Sequence, residues 1–109
     1  MAGVYYSQGD CGKALEYHEK SLSIRRETLG ERHPKVADSY NNMGMVYDKQ
    51  GDYGKALEYY EKSLSIRRET LGERHPDVAT SYNNMAGVYY SQGDYGKALE
   101  HHELSLIHI

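Results

Sequence analysis

Residues 43–84 read MGMVYDKQGDYGKALEYYEKSLSIRRETLGERHPDVATSYNN, and the 42 residues before them read almost the same. Residues 1–42 and 43–84 differ at eight positions and agree at the other 34, and residues 85–109 begin a third copy with 15 matches in 25. Self-similarity at a fixed period of this size marks a solenoid, in which one supersecondary unit buries its apolar face only by stacking on its neighbours. Any function is then expected on a surface built by several repeats.

Within the repeat, apolar residues recur at helical and not at strand spacing. Val78, Ala79, Tyr82, Met85, Ala86 and Tyr89 share one helical face, and Tyr53, Ala56, Leu57, Tyr60, Leu64, Arg67 and Leu71 follow the same rhythm. Gln92-Gly93-Asp94 supplies a helix stop and then an Asp N-cap. Leu71-Gly72-Glu73-Arg74-His75-Pro76 supplies a C′ glycine and a proline suited to the first turn of the next helix. These signals predict first-type helices near 34–50 and 76–92, second-type helices near 11–29, 53–71 and 95–107, and a stub over 1–8.

The middle copy carries Tyr40, Met43, Gly44, Tyr47, Gly51, Tyr53, Ala56 and Tyr60 where the tetratricopeptide repeat pattern calls for an aromatic, a large apolar residue, Gly/Ala, Tyr, Gly, Tyr, Ala and an aromatic. The chain therefore resembles that family. It departs in being eight residues longer per repeat than the usual ~34, with the closing proline displaced into the Leu-Gly-Glu-Arg-His-Pro connection. In this longer form, with Ile66-Arg67-Arg68, His75-Pro76-Asp77-Val78-Ala79 and Tyr82-Asn83-Asn84-Met85, it is similar to the repeats of kinesin light chains. The resemblance implies an all-α, right-handed α-solenoid of helix-turn-helix repeats. One repeat array is expected over 1–109: a partial repeat over 1–30 lacking the start of its first helix, a full repeat over 31–72 and a truncated one over 73–109.

The third copy departs from the pattern at Leu104-Ser105-Leu106-Ile107-His108-Ile109, where the repeat calls for Lys-Ser-Leu-Ser-Ile-Arg. These six residues are one translation of CTG TCT CTT ATA CAC ATC, similar to a transposon end used in sequencing adapters, so 104–109 is expected to be a non-native tail on a fragment of a longer array. Leu106 nevertheless keeps the place of Leu64.

Composition excludes several classes. The chain is 39% hydrophobic and 27% charged with a net charge of -3, and no apolar run approaches the roughly 18 residues of a membrane span. Neither a membrane nor nucleic acid is expected as a partner: Arg25-Arg26 and Arg67-Arg68 recur, but adjacent glutamates neutralise them. No leader is visible, and the single cysteine makes no internal disulfide, so a cytoplasmic protein is expected. Cys11 stands where Tyr53 and Tyr95 stand and reads as a packing substitute, not a nucleophile. The Glu16/Lys20 and Glu58/Lys62 pairs at i, i+4 support their helix surfaces. The twelve tyrosines, with no Phe or Trp, predict half-buried rings whose hydroxyls find partners or solvent.

His101 and His102 point about 100° apart on a helix and replace Tyr59 and Tyr60. His33 and His75 precede the prolines and read as shaping the connection. No metal, cofactor or catalytic constellation is expected, and the chain is read as a non-enzyme.

The functional signal lies where the copies diverge. The eight changes are Ala2/Gly44, Gly3/Met45, Tyr6/Asp48, Ser7/Lys49, Cys11/Tyr53, His18/Tyr60, Lys35/Asp77 and Asp38/Thr80, and the first four fall on the second half of a first-type helix. The exposed face of the second-type helix, including Glu58, Glu61, Lys62, Arg68 and Glu69, is unchanged between the first two copies. In the resembling family the first-type helices line a concave groove. This implies peptide-contacting positions at Asp38, Asn41, Met45, Asp48 and Lys49, then Thr80, Asn83, Gly87, Tyr90 and Ser91.

Asn41 and Asn83 are the strongest candidates, because each amide offers a donor and an acceptor to an extended peptide backbone whatever its sequence. A competing reading has Asn42 or Asn84, or both members of the pair, bonding within or between repeats. Lys49 is the one basic residue among these positions, which disfavours a clamp for a terminal carboxylate. A peptide or protein ligand is expected, with head-to-tail or swapped homo-oligomers as the alternative.

Overall fold

The computed structural model describes residues 11–107, with the side chains of residues 11 and 107 left out. Five α-helices follow one another: α1 (Cys11–Leu29), α2 (Pro34–Gln50), α3 (Tyr53–Leu71), α4 (Pro76–Ser91) and α5 (Tyr95–Ile107). All fall where the periodicity places them, with α4 ending one residue early. The expected stub over 1–8 lies outside the described residues.

Each boundary has a local chemical cause. After α2 and α4 the chain closes with a left-handed glycine: Gly51 adopts φ 80° and Gly93 φ 82°, a region in which a Cβ is strained. The N–H of Asp52 then donates to Tyr47 O at 2.9 Å and that of Asp94 to Tyr89 O at 2.9 Å, the six-to-one bond of a Schellman stop. The same aspartates open the next helices, Asp52 Oδ1 accepting from Lys55 N at 3.3 Å and Asp94 Oδ1 from Lys97 N at 3.1 Å.

The longer connections use a different cap. His33 and His75 sit in extended backbone before Pro34 and Pro76, and their Nδ1 atoms accept from Lys35 N and Asp77 N, each at 3.0 Å. This gives the recurrent histidines a defined role. Accepting the bond requires a lone pair on Nδ1, so the ring proton is on Nε2.

Each helix packs against the next in sequence, and apolar clusters form across the junctions. One holds Leu22, Val36, Met43 and Ile66; the other joins Ala56, Tyr60 and Leu64 to Val78, Tyr82, Met85 and Val88. Burying each of the larger side chains contributes about 1.5–3 kcal/mol. At the closest approach Gly44 faces Tyr60, where a Cβ would lie 2.8 Å from the ring atoms Cδ1 and Cε1. The aromatic residues form a second layer, with Tyr59 stacked on Tyr47 at 5.3 Å and His101 taking the place of Tyr59 against Tyr89 at 4.9 Å.

Arg67 keeps its place in the apolar stripe of α3 and is buried. Its Nη1 donates to Ser81 Oγ at 2.9 Å and Asp77 O at 3.3 Å on α4, and its Nη2 to Asp38 Oδ1 at 3.1 Å on α2. Arg25 repeats the first two bonds one repeat earlier, to Ser39 Oγ at 2.9 Å and Lys35 O at 3.0 Å. Arg68 does face solvent, where it pairs with Glu73.

Candidate peptide-binding face

The first-type helices α2 and α4 position the candidate residues, and the junction between them sorts the two sets differently. On α2, Asn41 is buried: its Oδ1 accepts from Asn84 Nδ2 at 2.9 Å and its Nδ2 lies 3.8 Å from Met45 Sδ. One carboxamide oxygen of the strongest candidate is thus engaged between repeats. Asp38, half exposed, receives the Arg67 guanidinium. Met45 is exposed, Lys49 faces solvent beside it, and Asp48 is half-buried, its carboxyl pushed above the usual carboxylate range by burial.

On α4 the counterparts stand open. Thr80 is exposed and donates back to Pro76 O at 3.1 Å, and Ser91 is also exposed. Asn83 is exposed, with its Oδ1 3.4 Å from His102 Nδ1. Gly87 and Tyr90 join Asn83 in an open cavity of about 440 Å³ walled by Tyr95, Leu99 and His102 of α5. A Cβ at Gly87 would meet nothing within 4 Å, so this glycine widens the cavity where Met45 occupies the corresponding place on α2. Tyr90 meets Tyr95 edge to face at 5.2 Å. The structure therefore gathers three of the ten candidates into one apolar recess with a single carboxamide, an arrangement suited to holding an apolar side chain while bonding a backbone amide.

The second-type helix contributes half of this recess. Tyr95 and Leu99 were not among the positions picked from sequence, although both occupy the helical stripe of Tyr53 and Leu57. Among the described residues no three His, Cys, Asp or Glu side chains are grouped as metal ligands. His101 Nδ1 lies 2.9 Å from Lys97 O while His102 faces Asn83.

The tetratricopeptide repeat family model matches residues 1–69 and 49–106. The chain belongs to the tetratricopeptide repeat family. Its pattern has a physical basis here, since Gly44 admits the Tyr60 ring, Gly51 makes the left-handed stop and Ala56 is buried between helices.

The chain is similar to BtubC (BKLC) from P. vanneervenii, with 34% identity, a TM-score of 0.87, 97% of this chain covered and 42% of that one. It is also similar to the nearly identical TPR-like repeats of a Podosopora anserina protein, at 28% identity and a TM-score of 0.83, covering 95% of this chain and 49% of that one. The TPR domain of Arabidopsis FLU, at 18% identity and a TM-score of 0.80 over 97% of this chain and 86% of that one, shares the fold. The chain spans slightly less than half the length of the first two. A search of curated protein sequences returns no match. Tetratricopeptide repeats are generally protein-interaction modules and typically non-catalytic. No helix among the described residues is long and apolar enough to cross a membrane.

Proposed function

We propose that this chain is a non-enzymatic, cytoplasmic scaffold that binds an extended peptide or protein segment along the faces of α2 and α4, and that neither nucleic acid nor membrane is its partner. The observation that carries the reading is the divergence of otherwise near-identical copies at Gly44/Ala86, Met45/Gly87, Asp48/Tyr90 and Lys49/Ser91, together with the recess that Asn83, Gly87 and Tyr90 share with α5. Met45, Asp48 and Lys49 offer a charged and thioether step, and Thr80, Asn83, Tyr90 and Ser91 an aromatic and hydroxyl step. Asp38 and Asn41 border this surface, Asp38 bonded to Arg67 within its own repeat and Asn41 to Asn84 of the next.

A peptide-display selection against the folded chain, followed by titration of the recovered peptide, tests this. Tyr90→Ala and Asn83→Ala are expected to weaken binding at least tenfold with helicity unchanged, and Glu58→Ala on the opposite type of helix to leave it unchanged. Binding insensitive to both groove variants, or a selection that enriches nothing, refutes the reading. A second reading, a self-associating repeat module, is supported by large apolar side chains left exposed on α5 whose counterparts on α3 are covered.

A further inference from the structure

The two long connections carry the same cap beside opposite charges. His33 and His75 accept a backbone N–H at Nδ1, from Lys35 and Asp77, each at 3.0 Å. Protonation of Nδ1 turns this acceptor into a donor, so the cap bond is lost, and a positive charge is set against the positive end of a helix. Both corners bear these two penalties. The second helical residue then decides the outcome. At His75 the Asp77 carboxylate stands 3.9 Å from Nδ1, within reach of an ion pair that replaces the lost bond and suits the helix start. At His33 that place holds Lys35, a second cation.

The other charges around the two corners are matched or already paired. Arg25 of α1 donates to Lys35 O and Ser39 Oγ as Arg67 of α3 donates to Asp77 O and Ser81 Oγ. Glu31 and Glu73 pair with Arg26 and Arg68 of the preceding helix. Glu69 of α3 holds Arg32, Arg67 holds Asp38, and the exposed Arg74 is screened by solvent. Lys35/Asp77 is therefore the difference that sets the corners apart.

We infer that mild acid opens the corner between α1 and α2 while leaving the corner between α3 and α4 closed, a proton-operated hinge at one of two otherwise equivalent connections. It is independent of what the faces of α2 and α4 bind. In the open corner His33 holds its proton away from both the helix end and Lys35, so the open form takes the proton up first and acid shifts the balance toward opening. The N–H groups of Val36 and Ala37 bond to His33 O at 2.9 and 3.3 Å, so they lose protection with the cap. Val78 and Ala79 bond to His75 O at 2.9 and 3.4 Å in the same way and report on the second corner. Val36 also lies in the cluster that joins Leu22 of α1 to Ile66 of α3, so the hinge sits where α1 is attached to the rest.

Amide hydrogen exchange, resolved by NMR at pH 7.5 and 5.5 and referred at each pH to the unfolded chain, tests this. The full chain carries His18→Gln throughout, because the half-buried imidazole of α1 weakens that helix in acid on its own account. Protection at Val36 and Ala37 is expected to fall about fivefold on acidification, the worth of one helix cap, and protection at Val78 and Ala79 to stay within about twofold. Exchanging the charges is expected to exchange the outcome, Lys35→Asp keeping the first corner closed in acid and Asp77→Lys opening the second. His33→Asn, which caps without titrating, is expected to leave Val36 and Ala37 equally protected at both pH values. All three side chains reach solvent, so circular dichroism is expected to show native helicity at pH 7.5. Acid losses of equal size at the two corners, including none at either, overturn the inference. So does a loss at Val36 that survives in Lys35→Asp or in His33→Asn, or an Asp77→Lys chain whose second corner stays closed.

Discussion

Gly44→Ala places a methyl group where the structure leaves no room for one. The added Cβ would lie 2.8 Å from both Cδ1 and Cε1 of Tyr60 and 3.2 Å from the carbonyl oxygen of Ala56, so one of the neighbours must move. Tyr60 is buried among Ala56, Leu64 and Val78 and yields little. Overpacking of this kind costs about 1–3 kcal/mol. Against it stands the better helix propensity of alanine, about 1 kcal/mol in a helix interior. A net loss of about 0–2 kcal/mol follows, with the midpoint lowered by about 4–8 °C per kcal/mol for a domain of this size.

The chain itself indicates the compensation. Where position 44 carries Gly its partner is Tyr60, whereas Ala2 is accompanied by His18 and Ala86 by His102. A smaller ring accompanies the larger backbone substituent each time. The double variant Gly44→Ala/Tyr60→His is therefore expected to be more stable than the sum of the two single losses by about 1 kcal/mol or more, a coupling well outside the ~0.3–0.5 kcal/mol scatter of independent sites. Urea and thermal unfolding followed by circular dichroism at 222 nm measure all four corners of the cycle. Additive effects, or a Gly44→Ala variant stabilised by its full propensity gain, would show that the two helices do not meet at this point.

Arg67→Met removes a buried guanidinium and strands Ser81 and Asp38; a loss of about 2–3 kcal/mol in urea unfolding is expected, while the solvent-facing Arg68→Ala is expected to stay within about 0.5 kcal/mol. Asn41→Ala breaks the bond from Asn84 and is expected to cost about 1–2 kcal/mol, whereas the exposed Asn83→Ala is expected to change the midpoint little; equal losses would contradict the placement of the two amides. Burial, and next the Arg25 guanidinium, hold the His18 imidazole below its ordinary value. The unfolded chain therefore takes up that proton first, so stability is full above pH ~6.5 and falls as the pH drops below it. His18→Gln is expected to flatten that slope in urea midpoints compared at pH 7.5 and 5.5, and a slope unchanged by the substitution would refute the assignment.

Helix boundaries were legible from sequence because their causes are local. The Gly-Asp and His-Pro punctuation acts over a few residues, so the chain states its own stops and starts. The burial of Arg67 was half legible: its place in the apolar rhythm of Tyr60, Leu64 and Leu71 pointed inward, while its charge and its neighbour Arg68 pointed outward. What decides the matter is Ser81, fourteen residues away on the next helix, with a hydroxyl that accepts the guanidinium. The asparagines illustrate the same limit. Asn41 and Asn83 occupy equivalent repeat positions, yet one is buried and bonded and the other open, because α4 lies over the first and no described helix lies over the second. Sequence proposed both a ligand role and an inter-repeat role for these amides, and the inter-repeat bond of Asn41 is a property of the neighbouring helix. Tyr95 and Leu99 were legible only as core residues, since their exposure depends on what stands beside α5.

The three-way reach of Arg67 has a mechanical consequence. One rigid, planar cation spans Asp38 on α2, its own helix α3, and Ser81 with the Asp77 carbonyl on α4. Apolar contacts slide over one another at small cost, but a fork of directed bonds loses energy steeply as its angles open. Twisting this repeat against the next must bend both bonds to α4 while the Asp38 bond holds the guanidinium in place within its own repeat, so the joint resists torsion even where its surfaces are smooth. Rotation at this joint is thus limited by the length and planarity of one arginine side chain as well as by the apolar surfaces around it.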